Sequence, residues 1–355
     1  MTAALAAVSQ VDIVDPRVDA PPAGWTAFRV KCLPPVWDYE LLRREAWLAK
    51  NPPVLAVVRE GDRVVGALSV MVCRSWRATD FGPLSGGRFR PRWAEVYLPL
   101  LSGYPACVFD DDVGEPERRR AIRRFERALR EHLGPGLLGV VYRAMNPELV
   151  PALDGRGRIS REIDPAAVLR NAYSTVDEWE AGLEPGLRRF LRQDVVTEVA
   201  SGRTDLDAGA LAALLNAHRA RQDERAWTGG QRSRIGGLHM DTRSPIAPSY
   251  LDALVRRPDV RTRTYRDDAG RLLGFNTMID HPAGCAVHHW AALPSAAGGR
   301  EGLYVDCYAR CVAHMITQRR PELTAGRAML AEKAALGFGT RSLFSVAVPR
   351  PVLGR

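Results

Sequence analysis

Lys333 and Arg327 are the residues of this chain whose type and spacing fit them best to meet a negative charge. They lie in LTAGRAMLAEKAALGF, Leu323 to Phe338, followed by SLFSVAVP. The run reads as a short strand, a Gly-Arg turn, a helix of roughly two to three turns and a closing strand. Met329, Leu330 and Leu336 supply an apolar stripe, and Gly337 fits the helix stop. A cation at a strand–helix junction, beside helix N–H groups, can stabilise charge that develops on an oxygen. Amide formation from an activated ester or thioester needs such a donor, a positioned amine and a route for one proton. The competing reading is that Glu332 and Lys333 only solvate one helix face.

Proton removal has two candidates. His289, in His288-His289-Trp290, ends a predicted strand that faces a Gly-rich turn, and Asp306 lies one turn into the next helix. A histidine on an apolar strand is also an ordinary core residue, and an acid there also favours the helix dipole. Arg188, Arg189 and Arg192 could hold carrier phosphates or merely face solvent. Gly299 and Arg300, in Gly298-Gly299-Arg300-Glu301-Gly302, sit between a strand and a helix, where phosphates bind. Trp227 could stack on a base or substrate, or simply pack. No G-x-S-x-G elbow is present, which argues against a nucleophilic hydrolase.

At 355 residues the chain is comfortable for two domains. Hydrophobic residues at 46% and charged residues at 26% predict a soluble globular protein. No apolar run approaches the roughly 20 residues of a membrane span, and the opening MTAALAAVSQVDIVD is a poor signal peptide. Cys32, Cys73, Cys107, Cys285, Cys307 and Cys311 form no CxxC pair, so free thiols in a reducing cytoplasm are expected, with no metal site. The net charge of +9 raises the prospect of a polyanionic partner such as tRNA or a phosphate-bearing carrier, against the alternative of compositional drift towards Arg.

The order hairpin, helix, strand, short helix, strand is predicted twice. VLAVVREGDRVVG and VRTRTYRDDAGRLLG are the hairpins, and Arg143-Ala144-Met145 is answered by Arg327-Ala328-Met329. An α/β (α+β) chain of two duplicated domains follows. Residues 1–24 are expected as a flexible tail, 25–172 as the first domain and 173–355 as the second. Residues 74–102 are expected to be mostly loop, Pro185 to Gly202 a helix, and Trp227 to Ser249 a long loop. The first turn is followed by Asn146-Pro147 and no Lys, which marks the first domain as a structural copy.

The small-Gly-basic turn, the following Lys, the "lGF" and the final strand resemble the C-terminal end of the FemAB/FemX-like aminoacyltransferases, within the GNAT superfamily. The resemblance extends from about Trp25 to the end and implies tandem GNAT-like domains, each a mixed, mainly antiparallel sheet flanked by helices. It implies Lys333 as the functional lysine, with Arg327 assisting, and the site in the second domain. Arg188, Arg189 and Arg192 are similar to the basic helix opening the family's second domain. Tyr304, Asp306 and Tyr308 lie where the family has an aromatic, Asp-bearing helix. The family transfers acyl or aminoacyl groups to amines: FemX-like members from aminoacyl-tRNA, related members from acyl-CoA, some in antibiotic biosynthesis. A clean Q/R-x-x-G-x-G/A turn is missing, so aminoacyl-tRNA is the expected co-substrate, acyl-CoA the alternative, and no cofactor is expected to stay bound. The acceptor is expected to be an amine of a cell-wall precursor or small natural product. A non-catalytic nucleic-acid or cell-wall recognition module is a further alternative.

Overall fold

The computed structural model describes residues 10–33, 37–48, 53–74, 91–98, 106–192, 197–228 and 245–355. Among these, residues up to 164 with 342–355 form one compact unit and 165–341 a second. The division falls at 164/165 and not at 172/173, and residues 342–355 return to the first unit. Each unit is a mixed, mainly antiparallel sheet with flanking helices, as expected.

In the first unit, residues 10–24 are not a loose tail. Gln10–Val14 is strand β1, followed by a buried Asp15–Arg17 ion pair and helix α1 (Trp25–Cys32). Helix α2 (Tyr39–Leu48) leads to the hairpin of β2 (Pro53–Glu60) and β3 (Arg63–Arg74), and β1 pairs antiparallel with β2. Backbone pairing to a sheet edge orders the β1 segment, and such pairing leaves little trace in composition. Part of the expected loop is likewise a strand, β4 (Arg92–Val96); residues 75–90 and 99–105 lie outside the described residues.

Strand β5 (Cys107–Phe109) pairs with β3, and helix α3 (Glu115–Leu133) buries Ile122, Phe125 and Leu129 while Arg119, Arg120 and Arg127 are exposed and its other arginines half-buried. Strand β6 (Leu137–Met145) runs parallel to β4 and precedes a short helix, α4 (Val150–Leu153). Fully buried Glu126 of α3 accepts hydrogen bonds from Arg158 (2.6 and 2.7 Å), the Tyr142 hydroxyl (2.9 Å) and the Gly354 N–H (2.7 Å). This buried, hydrogen-bonded charge ties residues 342–355 to the first unit.

The second unit's sheet has the order β7-β12-β11-β10-β9-β8. Its strands are β7 (Ile159–Arg170), β8 (Thr197–Ser201), β9 (Val260–Arg266), β10 (Leu272–His281), β11 (Gly284–Ala292) and β12 (Glu322–Thr324). Its helices are α5 (Val176–Ala181), α6 (Pro185–Leu191), α7 (Ala208–Thr228), α8 (Pro248–Val255), α9 (Leu303–Thr317) and α10 (Leu330–Ala334). The chain closes through β13 (Gly339–Pro349), whose stretch from Phe344 pairs with β6 of the first unit. The helix expected over Pro185–Gly202 stops at Leu191, and β-branched Thr197 and Val199 lie in β8, paired with β9. Trp227 is carried on α7, not in a loop; residues 229–244 lie outside the described residues. Leu303, Cys307, Cys311 and Met315 of α9 pack on Tyr265, Met278 and Leu323. The alternate positions of β9 to β11, such as Thr264 and His289, therefore face the other side, where the Tyr250 ring of α8 meets His289.

Candidate active site

The parallel ladder between β11 and β12 has two registers, Cys285↔Leu323 and Ala286↔Thr324. Beyond them the strands part. The Ala325 N–H donates to Ala167 O and the Ala167 N–H to Gly326 O, both at 2.9 Å, so the chain after β12 stays with β7. Strand β11 instead continues along β10 to Ala292. A gap opens at this point, and the Ala325–Met329 turn forms one of its walls.

Lys333 anchors that wall. Only 1% exposed, its ammonium donates to Ala325 O and to Ala328 O (2.6 Å), and it lies 5.1 Å from the centre of the Tyr308 ring. Among the described residues no carboxylate forms an ion pair with it. Burial pulls its pKa down to about 8, so it is mostly protonated at neutral pH. Met329, expected in the buried stripe, is 44% exposed with φ 52°, a left-handed conformation that side chains seldom adopt. Helix α10 is a five-residue segment and not two to three turns; Gly337 (φ 91°) ends it, and Trp179 Nε1 donates to Leu336 O at 3.0 Å.

A run of ring contacts links β11 to α10: Trp290–Tyr304 (5.7 Å), Tyr304–Tyr308 (4.6 Å) and Tyr308–Phe338 (6.3 Å). The structure thus brings Tyr304, Tyr308 and Lys333 together, and adds Trp290. Arg327 is half-buried on the turn itself. Burial pushes the Tyr304 and Tyr308 hydroxyls up, so both stay protonated and can donate.

The predicted carrier residues gather at the start of α9. Gly302 (φ 79°) caps that helix without a side-chain cap hydrogen bond, and the Phe190 ring of α6 packs against its α-carbon. The contact sets the helix carrying Arg188 and Arg189, with Arg192 just after it, beside the turn containing Gly299 and Arg300. Any side chain at Gly299 would collide with Leu293 O, so a glycine is required there.

Two predicted residues stand apart. Asp306 is 1% exposed and accepts from the Tyr265 hydroxyl (2.8 Å) and Arg310 Nε (3.2 Å), so both of its oxygens are engaged in holding α9 to the sheet. That corrects its expected role in proton removal: it is buttressed structure. His289 lies on the α8 side of the sheet, away from the Tyr304 ring. The ligand atoms of Asp280, Cys285 and His314 lie within 4.8 Å of one another. Arg320 holds the same carboxylate at 2.6 Å, which makes this a charge network competing with any cation.

No protein-family model and no curated protein sequence matches the chain. Solved structures do. The C-terminal domain (DUF2156) of an Agrobacterium fabrum protein, provisionally described as a lysylphosphatidylglycerol synthetase, aligns over 93% of this chain and 92% of its own, with TM-score 0.55 and 12% identity. FemX aligns over 88% and 90%, with TM-score 0.52 and 10% identity. A Bacteroides thetaiotaomicron protein of unknown function aligns over 96% and 100%, with TM-score 0.51 and 10% identity. The chain shares the fold of FemX and of the DUF2156 domain, the FemX-like fold that its C-terminal motif led us to expect. Among the described residues no helix is long and apolar enough to cross a membrane.

Proposed function

We propose that this chain is an acyltransferase that forms an amide by moving an aminoacyl group directly from aminoacyl-tRNA to an amine. The observation that carries the reading is the buried Lys333 ammonium at the β11–β12 gap, held by carbonyls and a ring with no carboxylate paired to it. A buried cation in this state is costly to the fold, and its positive potential suits an oxygen that becomes negative as the carbonyl is attacked. In this reading Lys333 and Arg327 supply that potential, and Tyr304, Tyr308 and Trp290 enclose the acyl group. Arg188, Arg189, Arg192, Gly299 and Arg300 hold carrier phosphates, and Trp227 stacks on carrier or substrate. The reaction needs no acyl-enzyme: the amine nitrogen bonds to the carbonyl carbon, and the ester oxygen of the carrier leaves with a proton.

The second reading, an acyl-CoA donor, is favoured by the glycine-bearing turn before α9, a helix start suited to a pyrophosphate. One assay separates them. Purified protein is given charged tRNA and amine acceptors, with and without ribonuclease, and in parallel acyl-CoA. Loss of transfer after ribonuclease is the expected result; strict dependence on added acyl-CoA overturns the tRNA reading. Binding without turnover of either donor would favour a recognition module.

A further inference from the structure

The β10–β11 ladder slips by one residue between Thr277↔His289 and Met278↔Val287, which makes His288 the extra residue of a β-bulge. Bulges re-aim a side chain and are frequent beside active sites. This one begins just past Ala286, the last β11 residue paired with β12, so it stands where the gap opens. The His288 ring stacks on His289 with centroids 3.9 Å apart, and His289 in turn meets Tyr250 edge-on at 6.5 Å. The pair thus lies on the α8 side of the sheet, across β11 from Tyr304.

Both ring nitrogens of His288 and Nε2 of His289 are buried without a hydrogen-bond partner among the described residues. An unpaired buried polar atom costs about 1–3 kcal/mol, so core histidines ordinarily bond at least one nitrogen. The register sets Thr262, Thr277 and His289 side by side across three strands, and Thr262 Oγ1 is a further buried, unpartnered atom on that face. Polar atoms left unpaired at a bulge, at the mouth of a gap, are an arrangement made for a polar group that arrives from outside.

We propose that His288 is the general base of acyl transfer, receiving the proton of the attacking amine, with His289 positioning its ring by stacking. The inference rests on the acyltransferase reading and assigns the acceptor amine to the α8 side of β11. As the N–C bond forms, the carbonyl π electrons move to oxygen, towards the Lys333 side, and the amine proton passes to a His288 ring nitrogen. Collapse of the intermediate breaks the bond to the carrier's ribose oxygen, which takes that proton from the imidazolium, so His288 ends neutral. Burial holds His288 down to about 3, so the imidazole is unprotonated at neutral pH, and as a base it depends on the entering polar acceptor to relieve that desolvation. Among the described residues, His289 of β11, Tyr250 of α8 and Arg219 of α7 are the titratable and charged groups found around the pair, and none of these three is a carboxylate that would trap the acceptor as an ammonium ion.

The test is single-turnover transfer by wild type, His288→Ala, His288→Gln and His289→Gln. His288→Ala should lose about 100-fold or more in rate, the range of general-base removal, and free imidazole should restore part of it. His288→Gln, close in shape but without a titratable ring, should be equally slow, with thermal unfolding near that of wild type showing that the fold is kept. His289→Gln should lose less and gain nothing from imidazole. Wild-type turnover matched by His288→Ala or His288→Gln overturns the inference alone. Absence of transfer by wild type from either donor overturns the acyltransferase reading, and this inference with it.

Discussion

Each unit keeps a cation near the end of a parallel strand pair, Arg143 in the first and Lys333 in the second, and the two are held in opposite ways. In the first unit Arg143-Ala144-Met145 closes strand β6 itself, with Ala144 at φ 55°, so the turn expected there is strand; in the second, Arg327-Ala328-Met329 lies beyond the end of β12, with Met329 at φ 52°. The first cation is neutralised: Arg143 donates to Glu95 at 2.7 Å and lies 4.4 Å from the Tyr97 ring centre. The second unit's buried cation, Lys333, has carbonyls and a ring and, among the described residues, no ion pair with a carboxylate; Glu332 acts on it only through space. The strands differ in the same sense. Strand β4 stays paired with β6 from Arg92 to Val96, whereas the β11–β12 ladder ends after two registers. In the function proposed above, the paired charge beside the longer ladder is structural and the unpaired charge beside the shorter one serves the chemistry.

The largest expected effect breaks that contrast at its active end. Lys333→Ala should lower the transfer rate about 100- to 1000-fold with unchanged circular dichroism, whereas Arg143→Ala should transfer at close to the wild-type rate. Equal losses in the two variants would erase the distinction between the units.

Titration gives the next largest effect. The Lys333 pKa falls from 10.5 in the unfolded chain to about 8 when folded, so the unfolded state binds the extra proton between those values. This residue's contribution to stability therefore rises with pH across that window, by at most about 3 kcal/mol. The unfolding free energy of wild type minus that of Lys333→Met, measured by denaturant titration, should grow from pH 7.5 to 10, while transfer falls through about pH 8. A flat difference would mean that the ammonium is well solvated. In the first unit, Glu95→Gln should cost about 1–2 kcal/mol in denaturant unfolding, because it unbalances a partly buried ion pair, and leave transfer intact. Smaller still, replacing Arg188, Arg189 and Arg192 together by Gln should raise the donor KM about 10-fold, with little change in kcat and a shallower salt dependence. A change confined to kcat would place those arginines in the chemistry.

The contrast also marks how far the sequence alone can be read. Strands and hairpins with sustained β-branched runs and the turn before Lys333 were legible because their signals are local and periodic, whereas Arg143-Ala144-Met145, expected as a matching turn, is the end of strand β6. Burial of Lys333 was not: beside Glu332 it looks like one half of a solvated pair, and only the approach of Tyr308 and the turn carbonyls makes it internal. Asp306 looks like a free acid until Tyr265, a distant strand residue, occupies it. The ordering of residues 10–24 and the return of 342–355 to the first unit depend on partners far away in sequence, such as β2 and Glu126. The bulge at His288 is likewise invisible in the sequence, because a bulge is a slip between two strands and one strand's pattern does not contain it.

The central claim is that an acyl carbonyl lies in the β11–β12 gap with its oxygen towards Lys333. A crystal structure with a non-hydrolysable 3′-aminoacyl-adenosine fragment tests it most directly. The account predicts the carbonyl oxygen within about 3–4 Å of the Lys333 ammonium, with the acyl chain among Trp290, Tyr304 and Tyr308. A fragment held beside Arg143 in the first unit, or on a surface remote from the gap, would contradict it.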